Sequence, residues 1–278
     1  MAGVGAGCET AGMEELPVTR VDAYLRRIGA VRPGSASAAA LRDLHLRHLR
    51  TVPFESLSIH LGEEIVLEGE ALLDKLLRGG RGGFCYELNG AFALLLRSLG
   101  YRVELLQARV HSADGGQGVP YDHLALRVEC EDGRPWLVDV GFGDHSHFPL
   151  AFDERGEQVD PGGVFRIVPA GGPEGDLDVL QDGVPRYRLE TRPRVLSDFV
   201  TGAWWHSTSP ASGFTRKPVC SLLTESGRTT LSDRVLTVTA DGARTERPLV
   251  DDAEVLAAYR THFGIDLPRV PVPLHPRP

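Results

Sequence analysis

A glycine turn leads directly into an amphipathic helix in the stretch Arg81-Gly82-Gly83-Phe84-Cys85-Tyr86-Glu87-Leu88-Asn89-Gly90-Ala91-Phe92. From Tyr86 onward, apolar residues recur at spacings of three and four, the pattern of one helical stripe that ends at Gly100. Cys85 therefore lies at the N-terminus of the predicted helix, where unpaired backbone N–H groups and the helix dipole favour a negative charge. The stretch predicts a thiolate nucleophile at a helix start.

The charge and composition of the 278-residue chain restrict its partners. A formal net charge of −8 argues against nucleic acid or an anionic membrane surface as the main partner, because both present phosphate groups. No apolar run approaches the ~18 residues of a membrane span, and the N-terminus does not read as a signal peptide. The four cysteines, Cys8, Cys85, Cys130 and Cys220, form no CxxC pair and favour neither a zinc site nor a disulfide framework. We therefore expect a cytoplasmic protein without a bound metal.

Three regions with different periodicities divide the chain. Helical stripes dominate residues 13–100, which carry Cys85, and short alternating runs bounded by Gly, Pro and Asp dominate residues 101–200. Residues 201–278 mix strands with one helix, predicted over 252–263. The strands predicted in the second region are 102–110, 123–129, 136–140, 165–168 and 186–190. The pattern predicts an α+β protein in which a helical bundle is followed by an antiparallel sheet or barrel.

Two of the predicted strands form a hairpin that can bring a histidine and an aspartate together. His123 shares a strand face with Ala125 and points away from the leucines of the same strand. If Glu131-Asp132-Gly133 forms a three-residue loop with Gly133 in the left-handed conformation, Asp139 faces Ala125 and lies diagonal to His123. A two-residue or four-residue loop would place the two side chains on opposite faces.

Cys85, His123 and Asp139 have the composition of a catalytic triad. In such a triad the histidine takes the thiol proton, the aspartate orients the imidazole and stabilises its cation, and the thiolate attacks an acyl carbon to form a thioester. A structural interpretation competes with this one, because a cysteine at a helix start or a histidine beside an alanine is commonly a packed core residue. Asp139 favours the triad, because a carboxylate inside an apolar run is costly without a partner.

Five segments resemble, in order, the hallmark segments of the arylamine N-acetyltransferase family. They are Val52-Pro53-Phe54-Glu55, the stretch from Arg81 to Gly90, Ala108-Arg109-Val110, Val138-Asp139-Val140-Gly141-Phe142-Gly143 and Ser207-Thr208-Ser209-Pro210. The resemblance implies a helical bundle over 13–100, a central antiparallel β-barrel over 101–200 and a C-terminal α/β lid over 201–278, arranged around a papain-like Cys-His-Asp core. It assigns the catalytic triad to Cys85, His123 and Asp139.

The resemblance also implies an activity and its ligands. An acetyl group would pass from acetyl-CoA, through a thioester on Cys85, to an aromatic amine or hydrazine by a ping-pong mechanism. Residues expected to contact acetyl-CoA are Gly141, Ser207, Thr208 and Ser209. Residues expected to line an aromatic acceptor pocket are Phe54, Phe84, Phe142 and Trp205, for each of which plain core packing is the alternative.

Two other functions fit the same motifs. One is an amide synthase of this family, which releases and cyclises an aminobenzoate-primed polyketide from an acyl carrier protein and needs no coenzyme A site. The other is a papain-like hydrolase or a catalytically silent binding protein, against which the intact triad and the family-specific cysteine segment argue.

Several polar residues depart from the family pattern or invite a metal interpretation. Asp122 stands where many members carry a threonine that contacts the cofactor, so its charge would repel the phosphates of coenzyme A if it faced them; a surface-exposed Asp122 is the alternative. His45 and His48 lie one helical turn apart, and His145 and His147 lie close together, but neither pair has further ligands at the spacing of a metal site. We expect exposed helix and loop histidines here.

Overall fold

The computed structural model describes residues 16–112, 115–171 and 175–276. Within these ranges the helices are α1 (Val18–Arg27), α2 (Ala38–Thr51), α3 (Leu57–Leu61), α4 (Gly69–Leu77), α5 (Cys85–Ser98), α6 (Val200–Thr208) and α7 (Asp252–Phe263). The strands are β1 (Phe54–Glu55), β2 (Arg102–Val110), β3 (His123–Glu129), β4 (Pro135–Val138), β5 (Leu150–Ala151), β6 (Gln158–Asp160), β7 (Gly163–Pro169), β8 (Leu177–Gln181), β9 (Val184–Leu189), β10 (Val219–Leu223), β11 (Gly227–Ser232), β12 (Val235–Ala240) and β13 (Ala243–Pro248). Short 3-10 helices cover Leu196–Phe199 and Gly213–Thr215.

Helix α5 is the centre of the N-terminal bundle. It packs against α1 and α4 on one side and against β2 and β3 on the other. Every residue from Cys85 to Leu96 is buried, as expected for a helix that other elements surround on all sides. The same apolar cluster includes Leu124, Leu126 and Val128, so one face of β3 closes the bundle core. The helix that carries the cysteine is therefore fixed along almost its whole length.

The central region is an eight-stranded antiparallel sheet in the order β5-β4-β3-β2-β9-β8-β7-β6. Its inner face is a second apolar cluster, to which β3 contributes Ala125 and β9 contributes Tyr187. The two end strands approach each other, because the side-chain amide of Gln158 in β6 bonds both backbone groups of Ala151 in β5. Gln158 Oε1 accepts from the Ala151 N–H at 2.7 Å, and its Nε2 donates to the Ala151 carbonyl at 3.0 Å. The sheet is a nearly closed barrel.

The C-terminal region builds a five-stranded antiparallel sheet in the order β1-β10-β11-β12-β13. Strand β1 comes from the N-terminal part of the chain, and its Glu55 pairs with Cys220 of β10. Helix α7 covers this sheet through Val255, Tyr259 and Phe263, which belong to a third apolar cluster. The C-terminal part of the chain thus pairs with β1, which lies beside the glycine turn that precedes Cys85.

The predicted α+β class, with bundle, barrel and C-terminal α/β part, is confirmed. Strands β2 and β3 and helix α7 begin and end where the sequence pattern predicts. Helix α6 was missed, because Val200, Thr201 and Gly202 are poor helix formers and the segment has no amphipathic stripe. The domain limits at 100/101 and 200/201 stay a prediction; residues 13–15 and 277–278 of those domains lie outside the described ranges.

None of the helices in residues 16–112, 115–171 and 175–276 combines the length and apolar character needed to cross a bilayer.

Candidate active site

The hairpin between β3 and β4 has the predicted register. Leu126 pairs with Val138 and Val128 pairs with Trp136. The connecting loop has Gly133 in the left-handed conformation, with φ 77°. The three-residue loop is therefore confirmed, and Asp139 lies on the same face as His123.

His123 and Asp139 form a buried ion pair. The Nε2 atom of His123 lies 2.7 Å from Oδ2 of Asp139, and both side chains are almost completely buried. Burial alone would lower the pKa of His123, but the Asp139 carboxylate and the Cys85 sulfur outweigh it and raise this pKa to about 10. Burial would raise the pKa of Asp139, yet the imidazole holds it at about 2. The imidazole is therefore cationic at neutral pH.

Cys85 stands at the first position of α5, with Phe84 as its N-cap. The Cys85 sulfur is one of the groups that raise the pKa of His123, and because Nε2 of His123 is bound to Asp139, Nδ1 is the nitrogen left to interact with the sulfur. The sulfur therefore lies beside a cationic imidazole and at a helix N-terminus. The structure thus brings together the three residues that the sequence singled out.

Asn89 holds the two strands against α5 and was not assigned a role from the sequence. Its Nδ2 donates to the carbonyl of Leu124 at 2.6 Å and to Oδ1 of Asp139 at 2.9 Å, and its Oδ1 accepts from the Val140 N–H at 2.9 Å. Asn89 is fully buried one helical turn after Cys85. Because buried amides need partners, a polar residue at this point of an apolar stripe was the available signal.

Gly141, predicted to contact acetyl-CoA, lies directly against the start of α5. A Cβ atom at this position would come within 2.7 Å of the Cys85 Cα and 2.8 Å of Asn89 Nδ2, so a side chain here would displace the helix start. The Gly141 N–H donates to Oδ1 of Asp139 at 3.0 Å. The packing supplies a structural reason for this glycine, and its contact with acetyl-CoA stays a prediction.

Buried charges anchor the glycine turn before Cys85. Arg81 Nε donates to the fully buried Glu55 at 3.0 Å, and Lys75 pairs with Glu87 at 2.6 Å. Burial would raise the pKa of Glu55, but Lys75 and Arg81 outweigh it and lower that pKa. Glu87 in turn accepts from the Phe84 N–H at 3.2 Å. The turn, strand β1 and the helix start are therefore tied into one charged cluster.

The four aromatic residues predicted to line an acceptor pocket lie in different surroundings. The Phe142 ring packs edge-on against His123, with centroids 5.1 Å apart, and so borders the triad. Phe84 is fully buried and packs on Tyr86, which agrees with the alternative that it is a core residue. Phe54 is half-buried, and Trp205 lines a surface cavity of about 340 Å³ on α6. Their contact with an acceptor stays a prediction.

The hydroxyl groups of the Ser207-Thr208-Ser209 segment bond to the chain around the C-terminal end of α6. Ser207 donates to the Ala203 carbonyl at 2.8 Å, and Thr208 donates to the Trp204 carbonyl at 2.7 Å. Ser209 Oγ accepts from the Ala211 N–H at 3.2 Å. These hydroxyls keep lone pairs that can accept further hydrogen bonds, and their predicted contact with acetyl-CoA stays a prediction.

The expectations for Asp122 as a free charge are wrong. Its side chain is about as buried as that of His206, whose Nε2 lies 3.0 Å from Oδ1 of Asp122. The other carboxylate oxygen accepts from the Val110 N–H at 3.0 Å. Asp122 is neither exposed nor an unpaired charge that could face incoming phosphates.

The expectation of exposed histidines is also wrong for His45, His48 and His145, which are buried. His48 lies between the rings of Tyr24 and Phe92, because it falls on the apolar stripe of α2. Burial lowers the pKa of His48 to about 3 and that of His145 to about 4. Within the described ranges, no group of three or more His, Cys, Asp or Glu side chains could hold a metal ion.

Fold and site together define a class: an α+β enzyme with a cysteine nucleophile at a helix start and a His-Asp pair on the adjoining barrel. Comparison with known proteins agrees. A family model described as N-acetyltransferase matches residues 37–272. An arylamine N-acetyltransferase of Escherichia coli (strain K12) is 34% identical over 250 residues, which cover 87% of this chain and 87% of the relative.

Solved structures give the same result. The M. smegmatis arylamine N-acetyl transferase superposes with a TM-score of 0.81 at 33% identity, covering 89% of this chain and 92% of that chain. The Mycobacterium marinum arylamine N-acetyltransferase in complex with CoA gives a TM-score of 0.79 at 30% identity, with 88% and 92% covered. The chain belongs to the arylamine N-acetyltransferase family, as its motif segments predicted.

Proposed function

We propose that this enzyme transfers an acetyl group from acetyl-CoA, through a thioester on Cys85, to the nitrogen of an aromatic amine or hydrazine. The observation that carries the proposal is the contact of the Cys85 thiol with a buried His123–Asp139 pair, at the start of a fixed helix. A thiolate held beside an imidazolium is the form of cysteine that attacks acyl carbons.

In the first half-reaction the Cys85 thiolate attacks the carbonyl carbon of acetyl-CoA. A carbon–sulfur bond to Cys85 forms, and the bond to the sulfur of coenzyme A breaks. The His123 imidazolium gives its proton to the departing thiolate, while Asp139 keeps the ring oriented through the 2.7 Å contact. In this proposal the backbone N–H of Cys85, which lies at the helix start, stabilises the oxyanion.

In the second half-reaction the neutral nitrogen of the amine attacks the thioester carbon. The Cys85 sulfur leaves as a thiolate, and His123, neutral after the first step, takes the proton that the nitrogen loses. The imidazolium–thiolate pair is thereby restored. Arylamines suit this step because their nitrogen is uncharged at neutral pH.

Acetyl-CoA is the proposed donor because the relatives are named arylamine N-acetyltransferases and one related structure holds CoA. A carrier-bound polyketide as donor, with an acyl carrier protein as partner, has no such support and is not favoured. We also propose a reducing, cytoplasmic setting, because Cys85, Cys130 and Cys220 are free thiols.

The test is intact-protein mass spectrometry after mixing with acetyl-CoA alone. We expect a gain of one acetyl group, mapped to Cys85 by peptide analysis, and its loss when an aromatic amine is added. The variant Cys85→Ser should gain none. An unmodified wild-type protein, or acetylation at another residue, would contradict the proposal.

A further inference from the structure

A second histidine–aspartate pair lies directly beside the catalytic one. Nε2 of His206, on α6, is 3.0 Å from Oδ1 of Asp122 and 3.1 Å from the Asp122 carbonyl oxygen. Asp122 immediately precedes His123 in the chain, and its other carboxylate oxygen accepts from the Val110 N–H of β2. Asp122 therefore fixes the entry into the catalytic strand from two directions.

Tyr86, the residue after Cys85, contacts the same segment of the chain as His206. Tyr86 is buried, and its hydroxyl donates to the Tyr121 carbonyl at 2.6 Å, with the Asp122 carbonyl at 3.0 Å. Residue 86 follows Cys85, and residue 122 precedes His123. One small cluster of hydrogen bonds thus joins the chain neighbours of both members of the cysteine–histidine pair.

Helix α6 packs directly against this cluster and has no room to move closer to it. A Cβ atom on Gly202 would lie 2.3 Å from the Tyr121 carbonyl oxygen and 2.9 Å from the Tyr86 hydroxyl, so α6 sits in backbone contact with the turn. On the other side of the imidazole, Nδ1 of His206 is 3.3 Å from the buried Ser212 hydroxyl. The rings of Tyr86 and Phe214 also pack around His206.

We propose that His206 is a positioning residue, which acts through Asp122 and Tyr86 to set the separation of Cys85 and His123. The proposal rests on the roles of Cys85 and His123 in the proposed function. Without the imidazole, Oδ1 of Asp122 loses its 3.0 Å contact with Nε2 of His206, and the carboxylate turns toward water. The backbone at 121–123 follows it, and a displacement of ~1 Å at a reacting group costs up to about 100-fold in rate.

Two amide substitutions separate positioning from packing. In His206→Gln the side-chain amide nitrogen occupies the place of Nε2 and can still donate to Asp122, whereas in His206→Asn it occupies the place of Nδ1 and faces Ser212. The matched controls are His111→Gln and His111→Asn, because His111 Nε2 pairs with Asp178 at 3.2 Å on the barrel, where Arg188 also holds the carboxylate.

The main measurement is the rate of Cys85 alkylation by iodoacetamide as a function of pH, which needs no acetyl donor. We expect His206→Gln to stay within about threefold of wild type and His206→Asn to be about 10- to 100-fold slower, with its profile moved to higher pH. The acetyl-transfer rate of His206→Asn should fall by a similar factor, with the KM for the amine changed less. Both His111 variants should match wild type.

Removal of the Asp122 carboxylate provides an independent test of the proposal. Asp122→Thr should reproduce the slower alkylation, and the double variant with His206→Asn should be no slower than the slower single variant, because the two residues act as one unit. Equal rates for the Gln and Asn variants, or multiplicative effects in the double variant, would overturn the proposal. The failure of acetyl-CoA to acetylate wild type would refute the proposed function and leave the alkylation result intact.

Discussion

At the scale of single residues, Asp139 shows how a buried charge is stabilised. Its two oxygens accept hydrogen bonds from His123, Asn89 and the Gly141 N–H, so the carboxylate has partners on three sides. The sequence indicated the need for a partner, because an aspartate within an apolar strand is costly when unpaired. The polar Asn89 within the apolar stripe of α5 signalled a need for partners, but the sequence could not identify Asp139 as one of them, because the two residues lie 50 positions apart on a helix and a strand.

Replacement of Asp139 by asparagine should lower kcat for acetyl transfer by about 10³- to 10⁴-fold. The amide keeps the shape of the side chain but removes the charge that raises the pKa of His123, so the imidazolium is no longer favoured. Steady-state kinetics with an aromatic amine measure this. The control is Asp160→Asn, a buried aspartate that accepts from the His147 and Phe148 N–H groups and should retain its rate within about threefold. A near-normal rate for the Asp139 variant would refute its role.

The buried thiols should differ sharply in reactivity. Burial, with Asp132 and Glu131 adding to it, raises the pKa of Cys130 to about 11, and burial raises the pKa of Cys220 well above its ordinary value. Cys85 instead faces a cationic imidazole. Iodoacetamide at neutral pH should label Cys85 first, because the raised pKa values of Cys130 and Cys220 keep those two thiols protonated. Peptide mapping by mass spectrometry reads out the order; uniform labelling of the three thiols would contradict it. Cys8 lies outside the described residues.

At the scale of elements, the start of α5 depends on charges that are distant in sequence. Arg81 and Lys75 neutralise Glu55 and Glu87 beneath the glycine turn. The turn itself and the helix that follows could be predicted, since apolar spacing and glycine placement are local signals. The ion pairs and helix α6 could not, because they follow from contacts between segments rather than from spacing within one.

Arg81→Met should destabilise the protein by about 3–5 kcal/mol, because it leaves the buried Glu55 with Lys75 at 3.8 Å as its remaining described ion-pair partner. Urea unfolding followed by circular dichroism gives the free energy of unfolding. The control is Arg102→Met, which removes an exposed arginine paired with Glu129 and should cost no more than about 1 kcal/mol. If the two variants lose equal stability, the buried pair does not anchor the turn.

At the scale of the whole molecule, buried imidazoles should make the fold sensitive to acid. His48 and His145 have folded-state pKa values of about 3 and about 4, whereas an unfolded histidine titrates near 6.5. Below about pH 6.5 the unfolded chain therefore binds more protons than the folded one. The free energy of unfolding that the two neutral imidazoles contribute is fully present above that pH and is lost as the pH falls toward 4 and 3.

His48→Phe should reduce this acid sensitivity. Neither ring nitrogen of His48 has a hydrogen-bond partner among the described residues, so a phenylalanine between Tyr24 and Phe92 sacrifices no described hydrogen bond. The slope of unfolding free energy against pH, measured by urea titration between about pH 6 and 4.5, should fall by up to ~1.4 kcal/mol per pH unit. Above about pH 7 the slopes of variant and wild type should coincide. An unchanged slope at acid pH would show that His48 is not protonated on unfolding.

The amide of Gln158 that joins β5 to β6 also limits strand pairing between separate copies of the protein in solution. The outer strand of a sheet offers unpaired N–H and carbonyl groups to any other extended chain and can seed ordered aggregates. In the barrel, the Gln158 side chain hydrogen-bonds both the N–H and the carbonyl of Ala151 in the end strand β5. In the second sheet, the outer strand β13 carries Arg244, Glu246 and Arg247 and ends at Pro248, which has no N–H to offer. Each sheet thus carries its own protection against strand exchange between molecules.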